Sequence, residues 1–288
     1  MENIVLQNDR LTVEIGPRGA ELQSVRIMGK EKLYQGDSFA WARRAPVLFP
    51  ICGNLKGGKC TFDGKEYKMD KHGFARNSIF EGEKISDIEA VFTLASSEET
   101  RKVYPFEFLF SVIFTLKDDT ILIKMRVENK DDKDISFSLG SHEGFILKEK
   151  LTEYSLSFPE VEDIDCHLVN IETGLLKDGY VNFGKALTNL PLHDGLFVHD
   201  TLVLDRVKSR EVTLCKGEKK MLSMAFDAPA IMVWTVPNAP LLCLEPWFGQ
   251  PDGEDGTGRW EDKKGLISLG VGKTFESLHS ITLYDEEP

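Results

Sequence analysis

Cysteine is scarce in this 288-residue chain: five residues, Cys52, Cys60, Cys166, Cys215 and Cys243, scattered and odd in number, with no CxxC spacing. That excludes a disulfide framework and points to a reducing compartment. No Asn-x-Ser/Thr glycosylation acceptor occurs. No stretch approaches the ~20 apolar residues needed to cross a bilayer. The opening Met1-Glu2-Asn3-Ile4-Val5-Leu6 has neither a basic region nor a sustained apolar one, so a cytoplasmic protein without a membrane partner is expected. Positive charge is also in deficit. Lysine and arginine total 35 against 47 acidic residues, a net charge of −12, which repels polyanions and argues against nucleic acid as a partner. A Ser/Pro-rich linker, a low-complexity tract and an internal repeat are all missing, and one domain over residues 1–288 is the expectation.

What is present is a period of two. In Ile121–Glu128 the residues Ile121, Ile123, Met125 and Val127 alternate with Leu122, Lys124, Arg126 and Glu128, as in a half-buried strand. Similar runs occur at Leu11–Ile15, Phe108–Leu116, Ile135–Leu139, Thr201–Leu204, Glu211–Leu214, Ile231–Val236 and Leu241–Leu244. Asp63-Gly64, Asp118-Asp119, Lys130-Asp131-Asp132 and Lys216-Gly217 mark reversals between them. No long amphipathic helix emerges, and Thr173–Leu190 reads as irregular or short helical structure. Strands without intervening helices predict an all-β protein of antiparallel sheets packed face to face.

Several motif fragments fail on inspection. Gly270-Val271-Gly272-Lys273-Thr274 lacks the phosphate loop's first glycine, because position 267 is Ile267. Gly140-Ser141-His142-Glu143-Gly144 has histidine where a nucleophile elbow needs serine, and His142-Glu143 does not complete a zinc-protease helix, whose last position is Ile146. His193 and His199 stand alone and read as solvated or hydrogen-bonded. No metal is implied.

Four segments set charged or polar residues among apolar and aromatic ones. Trp41-Ala42-Arg43-Arg44-Ala45-Pro46 offers two guanidinium forks that suit hydroxyls, a carboxylate or a phosphate, or else a solvated pair at a strand edge. Asp70-Lys71-His72-Gly73-Phe74-Ala75-Arg76 places a glycine after a histidine, where backbone can approach a ligand. In Gly140-Ser141-His142-Glu143-Gly144-Phe145 a histidine ends a strand between glycines, with a side chain able to give or take a proton near neutrality. In Leu244-Glu245-Pro246-Trp247, Glu245 ends an apolar run, and loss of water there raises its basicity.

Taken in order, Arg43–Gly53, Phe62-Asp63-Gly64-Lys65-Glu66-Tyr67, His72–Arg76, Gly140-Ser141-His142 and Leu244–Trp247 resemble the aldose 1-epimerase (galactose mutarotase-like) superfamily, and within it the LacX-like branch. The resemblance implies a large antiparallel β-supersandwich with a carbohydrate cleft. It further implies Glu245 as general base and His142 as general acid, His72 hydrogen-bonding the sugar near its ring oxygen, and Arg76 with Arg43 or Arg44 along the pocket. Asp200 would bind a sugar hydroxyl, and Trp247 would join the substrate-binding residues. The implied reaction is anomer interconversion of an aldose or aldose phosphate. It needs no cofactor, and its partner is a small sugar or sugar phosphate bound by a monomer or homodimer. Two departures stand out: Glu143 where the family often has proline, and Asn54 where it often has arginine. They leave room for a sugar-binding protein without turnover. A glycoside hydrolase would need a second carboxylate beside Glu245, from Glu143, Asp252 or Asp255.

Overall fold

Alternation decides which face each strand buries. In Thr120–Asn129 of the computed structural model, which describes residues 2–285, Ile121, Ile123, Met125 and Val127 are buried while Leu122, Lys124, Arg126 and Glu128 are partly or fully exposed. This strand pairs with Phe108–Lys117 on one side and Thr274–Leu283 on the other. The three form the middle of a nine-stranded sheet. Beyond Thr274–Leu283 lie Lys219–Phe226, Glu211–Lys216, Tyr154–Glu162 and the edge strand Leu187–Pro191; beyond Phe108–Lys117 lie Glu89–Ala95 and the edge strand Glu81–Lys84.

A second sheet of eight strands runs Leu176–Asn182, Asp165–Val169, Leu202–Leu204, Ala230–Trp234, Leu241–Phe248, Leu139–Ser141 and Val47–Leu48, with Glu143–Ile146 also paired to Leu241–Phe248. The ladders of both sheets are antiparallel. Their inner faces meet in one apolar cluster. Phe110, Phe114, Ile123, Leu214 and Ile281 come from the first sheet, and Leu139, Phe145, Leu202, Ile231, Leu242 and Leu244 from the second. An N-terminal four-stranded meander, Ile4–Gln7 to Lys30–Glu31, adds Leu6, Leu11 and Val13 to the same cluster. The architecture is a large antiparallel β-supersandwich. Among the described residues, helix is confined to Glu98–Arg101 and short 3-10 turns, and no helix is long and apolar enough to cross a membrane.

The turn residues act as their chemistry requires. Asp63 and Gly64, at φ 48° and 77°, close the two-residue hairpin between Lys59–Phe62 and Lys65–Lys68. Asp118-Asp119 joins the ten-residue strands Phe108–Lys117 and Thr120–Asn129. Two stretches differ from expectation. The run Ile135–Leu139 breaks at Ser138, whose N–H is given to Pro50 O at 2.7 Å, so that Ile135–Phe137 pairs with Ile267–Leu269 while Leu139–Ser141 enters the eight-stranded sheet. Within Thr173–Leu190 the chain forms the strand Leu176–Asn182 and enters a second, Leu187–Pro191, the edges of two different sheets. Most of their side chains face water, so no periodic apolar face announces them.

The strand Leu241–Phe248 is apolar on both faces. Leu242 and Leu244 point into the sandwich. Cys243, Glu245 and Trp247 point outward, opposite Trp234, Met232 and Ala230. There a second apolar cluster of Val203, Ala230, Met232, Trp247, Leu48 and Cys52 covers much of the sheet, which accounts for the unbroken hydrophobic run. The segment carrying His72 is brought against this face by Gly73, at φ 74°, where a Cβ would stand 2.2 Å from Phe49 O. Gly73→Ala is therefore expected to cost more than the ~1–2 kcal/mol of a left-handed alanine. Gly64→Ala, at φ 77° with open space around it, is expected to cost only that amount. Denaturant midpoints at unchanged m read the difference; equal losses would contradict the close approach.

Candidate active site

Proline has no N–H to give to a ladder, and beside Pro246 the pairing of Leu241–Phe248 with Leu139–Ser141 and Glu143–Ile146 has a gap, while its pairing with Ala230–Trp234 continues. The register is the same on both sides of the gap: Gly140 lies opposite Trp247, and Glu143 opposite Leu244. His142 therefore falls opposite Glu245, and both side chains project from the outer face. His142 Nε2 stands 3.4 Å from Glu245 Oε2, with both side chains nearly sealed from solvent.

The two groups open onto a cavity of about 210 Å³ that His72, Arg76 and Trp247 also line. Trp41, Lys71, Thr201 and Trp234 complete most of its wall. Trp41 stacks on the His142 ring at 4.6 Å between centroids, and Trp234 meets both rings edge-on at 5.8–5.9 Å. The indole N–H groups of Trp234 and Trp247 are used elsewhere, donated to Asp200 Oδ1 at 2.9 Å and to Ser141 O at 3.2 Å. What they present to the cavity is apolar ring.

His72 is held by a reciprocal pair of bonds. Its backbone N–H reaches Gly53 O at 2.9 Å, and Gly53 N–H reaches its Nδ1 at 3.1 Å. Because Nδ1 accepts, the ring's proton rests on Nε2. Burial holds His72 neutral, well below the usual histidine range, helped by His142 and by the charges of Lys71, Arg76 and Arg43.

Burial also drives the central pair apart. Loss of water pushes the His142 imidazole down to about 3, with Lys71, Arg76 and Arg43 adding to the effect. The same loss of water raises Glu245 well above the carboxylate range; Glu143 and Asp200 raise it further while Lys71 opposes. Both shifts favour the uncharged forms, a neutral imidazole beside a protonated carboxyl.

The remaining sequence candidates separate. Arg76 lines the cavity, and its Nε is buried without a hydrogen-bond partner. Arg43 lies behind it, bonded to Arg76 O and to Asn77 Oδ1. Arg44 is not part of the wall: its guanidinium bonds Gln23 Oε1 at 2.8 Å, towards the N-terminal meander. Asp200 stands behind Trp234 rather than in the wall. Asn54 bonds Thr173 O, and Asp252 is held by Lys263 and by the Lys56 N–H. Glu143 points to the opposite side of the sheet, with only 2% of its surface exposed. Glu245 is then the one carboxylate among the described wall residues.

Trp41, Lys71 and Trp234 were not singled out by sequence. Lys71 directly precedes His72 and Trp41 stands two residues before Arg43, whereas Trp234 gave no signal beyond a strand. His142, Cys243 and Glu245 bring donor atoms within 4.8 Å of one another, the one grouping among the described residues suited in number to a metal. Burial pushes the Cys243 thiol well up, so it keeps its proton and is a poor metal donor.

Comparison with known proteins places the chain in a family. A family model described as aldose 1-epimerase matches residues 2–243. The plasmid-encoded protein LacX of Lactococcus lactis subsp. lactis is 32% identical over 295 residues, covering 97% of this chain and 99% of its own. A galactose mutarotase related enzyme from Lactobacillus acidophilus superposes with a TM-score of 0.91 at 33% identity, covering 98% of this chain and 97% of that one. A galactose mutarotase-like protein from Lactobacillus casei superposes at 0.90 with 28% identity, covering 98% and 100%. Matched by that model over most of its length and by LacX over nearly all of it, the chain belongs to the aldose 1-epimerase family.

Proposed function

We propose that this protein interconverts the α and β anomers of an aldose by acid–base ring opening, with His142 and Glu245 as the proton-transferring pair. The observation that carries this reading is their 3.4 Å approach across adjacent strands at an aromatic-walled cavity. Ring opening needs one acceptor for the anomeric hydroxyl proton and one donor for the ring oxygen. As the hydroxyl proton leaves, its electron pair forms the C1–O1 double bond, the C1–O5 bond breaks, and O5 takes a proton. Rotation about C1–C2 and reclosure complete the exchange with no net change in the enzyme.

The pair holds one proton between two sites. With the proton on Glu245, as burial favours, the carboxyl is the donor and neutral His142 the acceptor. Transfer to His142 creates the carboxylate and imidazolium of the opposite assignment, with Glu245 as base. Lys71 favours that carboxylate, and a polar sugar in the cavity would lessen the penalty on both charges. His72, with its proton on Nε2, is placed to donate to a sugar oxygen. Lys71, Arg76 and Arg43 make one side of the cavity cationic, and the unpartnered Arg76 Nε suits an anionic substituent such as a phosphate despite the chain's net charge.

A glycoside hydrolase finds no second carboxylate in this wall. A binding protein without turnover is the other reading, and one experiment separates it. NMR exchange spectroscopy over free and phosphorylated aldoses is expected to show accelerated exchange that falls about 10²–10⁴-fold in Glu245→Gln. Full activity in that variant would refute the assignment, and calorimetric binding without exchange in the unaltered protein would favour a binding role.

Proton linkage gives a test independent of any sugar. Below its ordinary value of 6.5, His142 binds a proton when unfolded but not when folded until about pH 3, so stability is lost as pH falls through that interval. Glu245 acts in the opposite sense above its ordinary 4.5, where only the folded chain keeps the proton. Between pH 6.5 and 4.5 the unaltered protein is therefore expected to lose up to about 1.4 kcal/mol per pH unit relative to His142→Gln. Parallel stability curves would contradict a neutral, buried His142.

A further inference from the structure

Histidines that work as acids or bases are usually oriented through their second ring nitrogen, by a carboxylate or carbonyl. His142 has no such anchor from another residue: its Nδ1 is buried, and only its own backbone carbonyl lies near it. Trp41 stacks on the ring, but stacking alone leaves rotation in the ring plane unspecified. The anchor lies instead on the other side of the strand. Ser141 and Glu143 flank His142 and, by the alternation of extended chain, face the sandwich interior. Ser141 Oγ–H donates to Glu143 Oε2 at 2.8 Å. His279 Nε2, from Thr274–Leu283 of the opposite sheet, stands 2.9 Å from Glu143 Oε1 and 3.3 Å from Ser141 Oγ. All three residues are buried, with 1–3% of their surface exposed.

The constellation superficially resembles a nucleophilic triad. All three side chains are sealed from solvent, so Ser141 is not placed to attack a substrate. What it provides is a cross-sheet clamp. Both oxygens of Glu143 are satisfied, one from each sheet, which offsets the cost of a buried carboxylate. The same carboxylate acts through the sheet on Glu245 and on Cys243, raising the proton affinity of each. On the outer face Glu245 lies beside His142 and Cys243 and feels the charge of Lys71 and, from behind Trp234, that of Asp200.

We propose that Glu143, held by Ser141 and His279, is the positioning residue of the His142–Glu245 pair: it pins the backbone on either side of the imidazole and sets an acidic group behind the Glu245 carboxyl. This rests on the reading of that pair as the proton-transferring site. It also gives the Glu143 departure from the family pattern a function, since proline at that position offers neither a carboxylate nor a charge.

Glu143→Gln keeps the volume and removes the charge. The infrared carbonyl band of protonated Glu245, assigned by its loss in Glu245→Gln, reports that group's titration whether or not any sugar is turned over. In Glu143→Gln its midpoint is expected to move down by about one pH unit, and the corresponding limb of the exchange-rate profile with it. An unmoved midpoint overturns the inference even if exchange is robust. A moved midpoint in a protein that exchanges no sugar upholds it while the functional reading fails. Should Glu143→Gln not fold, Ser141→Ala keeps the charge and frees one Glu143 oxygen. It is expected to lower kcat about 10-fold at unchanged KM and unchanged pH limbs, and wild-type kcat there would overturn the clamp.

Discussion

Burying the Glu245 carboxyl in the middle of an apolar strand costs several kcal/mol unless it keeps its proton or finds a partner, and much of the architecture around it meets that cost. The strand Leu241–Phe248 is covered on both faces, so Glu245 cannot turn to bulk water. Its neighbours on the outer face are Met232 across the strand and Cys243 and Trp247 along it. The one polar group directly opposite is His142, delivered by the register on either side of Pro246. In the same low-dielectric setting each group's charged form is disfavoured, so a single proton shared between them is the state of lowest cost.

Around that pair, each feature of the cavity has a local structural origin. The left-handed turn at His72 and Gly73 brings a neutral imidazole against the outer face, and Gly53 sets its tautomer. Trp41 and Trp234 exclude water from the His142 ring, with Asp200 holding the Trp234 indole. Lys71 and Arg76 bring positive charge to a molecule that is otherwise strongly acidic. The interior clamp of Ser141, Glu143 and His279 ties the strand bearing His142 to the opposite sheet. The site is therefore built from both sheets, although its cavity opens on only one.

The sandwich was legible in sequence wherever one face of a strand is buried and the other solvated, as in Thr120–Asn129. It was illegible where that asymmetry is absent. Leu176–Asn182 and Leu187–Pro191 are edge strands with little to bury, and Ser138 ends one strand by giving its N–H to Pro50, a partner distant in sequence. Within the site, Glu245 stood out because a carboxylate in an apolar run is costly, and His72 because of the glycine after it. The juxtaposition of His142 with Glu245 depends on strand register, which composition does not encode. Neither Arg43 nor Arg44 lines the cavity: Arg43 is drawn to Arg76 O and Asn77 behind the wall. Gln23 claims Arg44. Trp234 lay in a strand whose outward face sequence periodicity had no reason to single out.

A double-mutant cycle tests most directly whether His142 and Glu245 act as one proton-carrying unit. Anomer-exchange rates are measured for His142→Gln, Glu245→Gln and the double variant on the aldose the unaltered protein turns over fastest. Groups that share one proton fail together, so the double variant is predicted to be no slower than the slower single variant, within a few-fold. Losses that multiply, each substitution slowing the other variant by its full single-variant factor, would contradict the account.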